Sequence, residues 1–202
     1  MVDGVPTGDH SPRDPAGSSD LPRFRRTGDE VLLRGWAITL NRTTVVDPAG
    51  GTFTRDVVRH PGAVAVVALT DDDTVVLVHQ YRAAVDRWLL EIPAGTCDVP
   101  GEAPEATARR ELAEEAGYTA SELTRLIHCA VTPGFCDEYS TIFAATGLSP
   151  VPADHQGVEE RYLRVVEVPL GRFDDLVDDG TIVDATTILG VGLARRRLGR
   201  PG

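Results

Sequence analysis

The stretch Ala63-Val-Ala-Val-Val-Ala-Leu69 constrains the fold more than any other part of the 202-residue chain. Seven consecutive apolar residues, without the alternation of a half-exposed strand, suit a strand buried inside a sheet. The run is far short of the roughly 20 residues that cross a bilayer, so it marks a core. Asp71-Asp72-Asp73 supplies a turn into a second β-branched segment, Val75–Tyr81, and Trp88–Ile92 makes a further short strand closed by Pro93-Ala94-Gly95. Upstream, Trp36–Leu40 and Phe53–Val58 flank the turn residues Asp47-Pro48-Ala49-Gly50-Gly51, the pattern of an N-terminal hairpin or meander.

Beyond Gly95 the period changes. Pro104 stands at a first helical position, strong helix formers follow it, and Gly117 stops them. Strands are expected at Leu126–Ala130 and Ser140–Ala145, then a long polar loop from Ser149 to about Glu160, then a strand at Tyr162–Val168. Two further helices are expected at Pro169–Asp179 and from Ala185 to about Leu198. Arg195, Arg196 and Arg197 at the end of the second suit the negative pole of a helix dipole. Strands and helices in this order make an α+β chain. Residues 1–28, rich in Pro, Gly, Ser and Asp, lack hydrophobic periodicity and read as a mobile tail. Residues 29–61 read as a β meander and residues 62–200 as the main domain.

Cys97, Cys129 and Cys136 are odd in number, at spacings that match neither a disulfide framework nor a zinc motif. They read as free thiols of a reducing compartment. With no apolar run in the first 20 residues to serve as a signal-peptide core, a cytoplasmic location is expected. The chain carries 31 acids against 20 bases, all of them Arg, for a net charge of −11. Such a field opposes broad binding to nucleic acid, and it leaves room for a local phosphate site.

The chemistry concentrates in one helix. Glu111 and Glu115 are four residues apart and project from the same face, with Glu114 close beside them. Like charges at that spacing repel unless a cation lies between them. Many helices solve this with a solvated, charge-laced face, and Arg109 and Arg110 are at hand to pair with Glu105, Glu114 or Glu115. A divalent metal is the other solution, and carboxylate oxygens select magnesium or manganese, ions that also bridge diphosphates.

The wider pattern favours the metal. Glu102, seven residues, then Arg110-Glu111-Leu112-Ala113-Glu114-Glu115-Ala116-Gly117-Tyr118 resembles the Nudix box: Gly, five residues, Glu, seven residues, Arg-Glu-apolar-x-Glu-Glu-x-Gly-apolar. With residue frequencies of roughly 1 in 15, its six fixed positions from Glu102 to Gly117 recur by chance about once in ten million windows. The one departure is that six residues, instead of five, separate Gly95 from Glu102. They fall in a loop with Pro100 and Gly101, where an insertion is tolerated cheaply.

That resemblance implies an α/β/α sandwich with a mixed central sheet, plus a small N-terminal antiparallel sheet. It implies that Glu111, Glu114, Glu115 and the Ala94 carbonyl hold two or three magnesium ions, or manganese in their place. Arg110 would orient a carboxylate, and Glu102 would support the loop. Glu91-Ile-Pro-Ala-Gly95, His79-Gln-Tyr-Arg82 and Pro133-Gly-Phe-Cys-Asp-Glu138 resemble the ADP-ribose pyrophosphatase subfamily. The implied reaction cuts ADP-ribose into AMP and ribose 5-phosphate. UDP-glucose and GDP-mannose pyrophosphatases share the frame and stand as alternatives, and a non-catalytic ADP-ribose sensor is the reading from another class.

By the same resemblance the general base lies on the acidic loop after residue 150, at Glu160 or else Glu159. Arg82 and Arg55 are the expected diphosphate partners, since guanidinium groups pair bidentately with phosphate. Glu138 matches a contact to the terminal ribose. Trp36 and Phe53 are candidates for stacking on adenine, although core or interface packing explains them as readily, and Trp88 reads as a core residue. Subfamily members are usually homodimers built through the N-terminal sheet, which sets the same expectation here.

Overall fold

The computed structural model describes residues 20–154, 158 and 160–200. Most of the expected tail, residues 1–19, lies outside the described residues, as does Glu159. The chain divides into two compact units.

The first unit holds the residues up to His60 together with Ile127–Glu138. Its sheet is antiparallel, in the order β1 (Arg25–Arg34), β2 (Thr39–Val46) and β3 (Thr52–Arg59). Strand β1 begins inside the stretch read as tail and had no counterpart in the expected elements. It is exposed along almost its whole length, so it carries no apolar alternation to betray it. The strand expected at Trp36–Leu40 also shifts: Gly35–Ile38 form a turn, β2 starts at Thr39, and Trp36 is 99% exposed in that turn. Position 35 is tight, because a Cβ there would lie 3.0 Å from the Ile38 carbonyl oxygen.

A polar network ties the three strands. Asp29 on β1 accepts from Asn41 (2.9 Å) and Thr43 (2.5 Å) on β2 and from the Arg59 guanidinium (2.6 Å) on β3. Arg59 reaches Asp137 as well (2.9 Å). Arg59 foremost, then Thr43 and Asn41, hold the Asp29 carboxyl down to about 2, against an ordinary 3.8. A carboxyl lowered by folding adds stability above its ordinary value that is lost as pH falls toward its folded one. The three-stranded sheet is therefore expected to weaken between about pH 4 and pH 2. Carboxyl NMR should place the Asp29 midpoint near 2, and Asp29→Asn should remove this part of the acid sensitivity. A midpoint near 4 would show that the network does not hold the charge.

The second unit, Pro61–Leu126 and Tyr139 onward, is built on a mixed sheet in the order β10-β5-β4-β9-β8. Its strands are β4 (Ala63–Leu69), β5 (Thr74–Arg82), β6 (Arg87–Glu91), β7 (Ala94–Thr96), β8 (Tyr118–Ala130, whose residues from Ile127 on count with the first unit), β9 (Tyr139–Pro150) and β10 (Arg164–Pro169). Strand β6 pairs with β5, β7 pairs with β4, and β4 and β9 run parallel from Ala63↔Ser140 to Ala68↔Ala145. The apolar run 63–69 is the central strand, as its composition demands. Side chains of a strand alternate between faces, and here the two faces meet different helices. Val64, Val66 and Ala68 pack under α1 (Pro104–Ala116), against Ala108, Leu112 and Ala116. Val67, with Ile92 and Ile142, meets α3 (Ala185–Leu198) at Gly190, where an added Cβ would lie 3.0 to 3.2 Å from all three. Helix α2 (Leu170–Asp178) packs beside β10. This is the α/β/α sandwich implied by the sequence pattern.

The caps follow from the residues. Pro104 opens α1, and Gly117 closes it in the left-handed conformation (φ 70°), its N–H returning to the Ala113 carbonyl. Asp184 caps α3 through the Thr187 N–H. No helix among the described residues is long and apolar enough to cross a membrane.

Candidate active site

Helix α1 carries the acids, and the strands beneath decide what each one meets. Glu115 lies on the buried side, 3% exposed, and accepts a 2.9 Å hydrogen bond from the Ala94 N–H of β7. Burial above all pushes its carboxyl up to about 8, with the Ala94 N–H pulling the other way and neighbouring Glu111 and Glu160 adding repulsion. Glu111, one turn earlier, lies across Gly95, where a Cβ would collide with its carboxylate carbon. Glycine at that point of β7 lets the helix set an acid directly over the strand. Burial raises the Glu111 carboxyl too, and the charges of Glu114 and Glu160 add to the shift against the pull of Arg110.

Arg110 binds the outer acids together. Its guanidinium reaches Glu111 (2.8 Å), Glu114 (2.9 Å) and Glu102 (3.3 Å). Burial works against its charge, but these carboxylates prevail and raise it further above the ordinary arginine range. Glu102 accepts from the fully buried Thr107 hydroxyl as well (2.9 Å), and Arg110 foremost, then Thr107, holds its carboxyl below the usual value. Arg110 thus joins Glu102, which precedes the helix, to Glu111 and Glu114 on it. Arg109, by contrast, turns outward to Glu105.

Among the described residues no three carboxylate, imidazole or thiol side chains are gathered as a formed metal site. Arg110 engages Glu111 and Glu114, and Glu115 points to a backbone N–H. The donors nevertheless suit a hard divalent cation. All are oxygens, two are partly or wholly buried carboxylates that repel each other, and Gly95 leaves the space over β7 clear.

Arg82, at the end of β5, faces the same region. Its Nε and Nη2 donate to one oxygen of Glu91 at 2.9 and 2.6 Å, and Glu91 is only 5% exposed. Burial opposes the Arg82 charge, but Glu91, Glu115 and Asp184 together raise it. The strand after Glu91 is pinned in turn, since the Ile92 N–H donates to the Thr187 hydroxyl inside the Asp184 cap of α3. Glu91 was not among the site residues expected from the sequence, although an acid near the end of an apolar strand, just before Pro93, is a signal of this kind. Glu91→Gln should keep the fold and loosen Arg82, raising KM about tenfold with a smaller change in kcat. Steady-state kinetics checks this, and an unchanged KM would mean that Arg82 needs no such support.

The other expected residues fall as follows. Glu160 opens a single turn of 3₁₀-helix, Glu160–Tyr162, and its charge acts on both Glu111 and Glu115. Glu159, the alternative base, lies outside the described residues. Arg55 and Glu138 belong to the first unit. There the Arg55 guanidinium stacks 4.6 Å from the Phe53 ring centre and donates to the Thr54 carbonyl, and Phe53 meets Phe24 edge-on at 6.3 Å. Glu138 closes a loop whose backbone pairs with Val58, and its own carbonyl accepts from Val131. Trp88 is not a core residue. It is 46% exposed on the short edge strand β6, with His79 and Tyr81 rings 5.5 and 5.9 Å away, because β6 has a neighbouring strand on one side only.

Comparison with known proteins shows what the chain as a whole is similar to. A NUDIX domain is matched over residues 59–182. The chain is 40% identical over 158 residues to an ADP-ribose pyrophosphatase of Bacillus subtilis, covering 78% of this chain and 85% of that protein. It is 40% identical over 168 residues to an ADP-ribose pyrophosphatase of Mycobacterium tuberculosis, covering 83% and 81%. A crystal structure of an ADP compounds hydrolase superposes with a TM-score of 0.76 at 26% identity, covering 89% of this chain and 97% of that one.

Proposed function

Since the chain belongs to the Nudix family of hydrolases, we propose that it hydrolyses the diphosphate of ADP-ribose to AMP and ribose 5-phosphate. One observation carries the reading furthest. The α1 acids, suited to a divalent cation, and Arg82, suited to a phosphate, are close enough for Arg82 and Glu115 to feel each other's charge.

On this reading Glu111, Glu114, Glu115 and the Ala94 carbonyl would hold two or three magnesium ions, or manganese. Bound there, the metal would supply neutralisation of the diphosphate and a lowered pKa for the attacking water. Arg110 keeps Glu111 and Glu114 from swinging away. Arg82, braced by Glu91, pairs with the diphosphate, and Arg55 and Glu138 are assigned to the diphosphate and the terminal ribose on sequence resemblance alone. Glu160, with Glu159 as the alternative, takes the proton of the water that attacks phosphorus. The bridging P–O bond breaks and its oxygen leaves with the other product. We place the enzyme in the cytoplasm as a homodimer. The exposed apolar residues Val31, Leu32, Leu33, Trp36 and Ile38 support a self-association surface on the first unit.

The test is a substrate panel: magnesium with ADP-ribose, NADH, UDP-glucose, GDP-mannose and diadenosine polyphosphates, with products identified. ADP-ribose should be cleaved fastest, and chelation of the metal should stop the reaction. ADP-ribose left intact beside cleaved UDP-glucose or GDP-mannose would move the substrate and leave the family reading in place.

A further inference from the structure

The loop from Gly95 to Glu102 is one residue longer than the Nudix pattern, and its two ends are fastened through the backbone. The Cys97 N–H donates to the Gly62 carbonyl (3.0 Å) just before β4, and the Glu102 N–H donates to the Val99 carbonyl (3.1 Å). Neither bond holds the Glu102 side chain. That falls in part to Thr107 of α1, which is fully buried and donates its hydroxyl to Glu102 Oε2 at 2.9 Å. The Cys97 thiol meets the same hydroxyl, and burial raises the thiol pKa, so it keeps its proton. A protonated thiol can donate to the Thr107 oxygen and leave the hydroxyl proton to Glu102.

The oxygen of Glu102 that takes Thr107 also takes Arg110 Nη2 (3.3 Å). Arg110 Nη1 serves Glu111 and Glu114, and its buried Nε has no hydrogen-bond partner among the described residues. Glu102 is therefore the anchor of the guanidinium apart from the acids it has to hold. Because the guanidinium is a rigid planar fork, fixing one nitrogen sets the direction of the others.

We propose that Thr107 is a positioning residue for the metal-binding acids: its hydroxyl fixes Glu102, Glu102 fixes Arg110, and Arg110 holds Glu111 and Glu114 ready for a divalent cation. The box pattern gives Glu102 and Arg110 their places, but position 107 falls among its seven unspecified residues. The inference rests on the reading of function above, which gives these acids a metal to bind. Partners that orient metal ligands are commonly worth about ten- to a hundredfold in metal affinity or activity. Thr107 acts from further out, through Glu102 and Arg110, so its effect belongs at or below the lower end of that range.

Thr107→Val keeps the shape and removes the hydroxyl, whereas Thr107→Ser keeps the hydroxyl. In a manganese titration followed by electron paramagnetic resonance, without substrate, Thr107→Val should bind Mn²⁺ about three- to tenfold more weakly and Thr107→Ser within about twofold of wild type. Its rate should fall at low magnesium and return to within about twofold of wild type at saturating magnesium. In a Glu102→Gln background Thr107→Val should add little, because the chain of contacts is already cut. Unchanged or tighter Mn²⁺ binding by Thr107→Val, a loss of rate that saturating metal does not recover, or additive losses would each overturn the inference. So would Thr107→Ser behaving like Thr107→Val. A second readout needs no metal: the Arg110 Nε–H resonance should exchange with water faster in Thr107→Val than in wild type or Thr107→Ser, and equal exchange would overturn the contact chain. A wild type that binds no Mn²⁺ would overturn the functional reading instead, with the Arg110 resonance still deciding the role of Thr107.

Discussion

Glu115→Gln should abolish turnover, by roughly a thousandfold or more, while the protein melts at or above the wild-type temperature. The two effects part because the residue has two partners of different kinds. Its carboxyl is buried against Ala94, and glutamine keeps both the size and an oxygen to accept the Ala94 N–H. What the substitution removes is the negative charge, which burial already disfavours strongly enough to push the carboxyl up to about 8. The fold does not need that charge. A divalent cation would, and several kcal/mol of metal-dependent stabilisation, at about 1.4 kcal/mol per factor of ten, amount to about three orders of magnitude in rate. Single-turnover kinetics with excess magnesium, beside a thermal melt, separates the effects. Glu105→Gln is the control on the same helix, since Glu105 pairs with outward-facing Arg109 and should change neither quantity. Near-normal activity in Glu115→Gln would remove Glu115 from the metal set.

Glu160→Gln should lower kcat a hundred- to ten-thousandfold, the range expected for losing a general base, and by far more than Glu159→Gln. The charge of Glu160 acts on Glu111 and Glu115, so its carboxyl is within electrostatic reach of the acids of α1. Glutamine keeps the shape of the side chain and cannot accept the proton. A small effect on KM alongside the loss in kcat would fit a group that acts on the attacking water. If Glu159→Gln proves the more damaging of the two, the base moves by one residue and the turn keeps its role.

The elements that sequence made legible share one property: their signal is local. The run Ala63–Leu69 became the central strand with the same limits, and Pro104 and Gly117 bracketed α1. The elements it missed lack such a signal. Strand β1 is an exposed edge strand whose first six residues are polar, charged or Gly28 and whose apolar residues, Val31-Leu32-Leu33, are consecutive, so no alternating period is left to detect. Strand β8 starts at Tyr118, well before the expected Leu126, because its first half buries only single residues, Tyr118, Ala120 and Leu123, between the exposed Thr119, Ser121 and Glu122. Trp88 misled because a large aromatic in an apolar strand normally means core, whereas β6 lies at a sheet edge.

The site divides along the same line. Helical geometry alone put Glu111, Glu114 and Glu115 on one face of α1 with Arg110 among them, because a repeat of 3.6 residues is written in consecutive positions. The tertiary structure decided which acid is buried and which is held by an arginine. Glu115 meets the backbone of Ala94, Glu111 lies over Gly95, and Arg82 finds Glu91 across the hairpin. Those outcomes depend on burial and on charges brought together by strand pairing and helix packing. Chain spacing cannot express them, because the energy of a carboxylate is set by the neighbours that surround it in space.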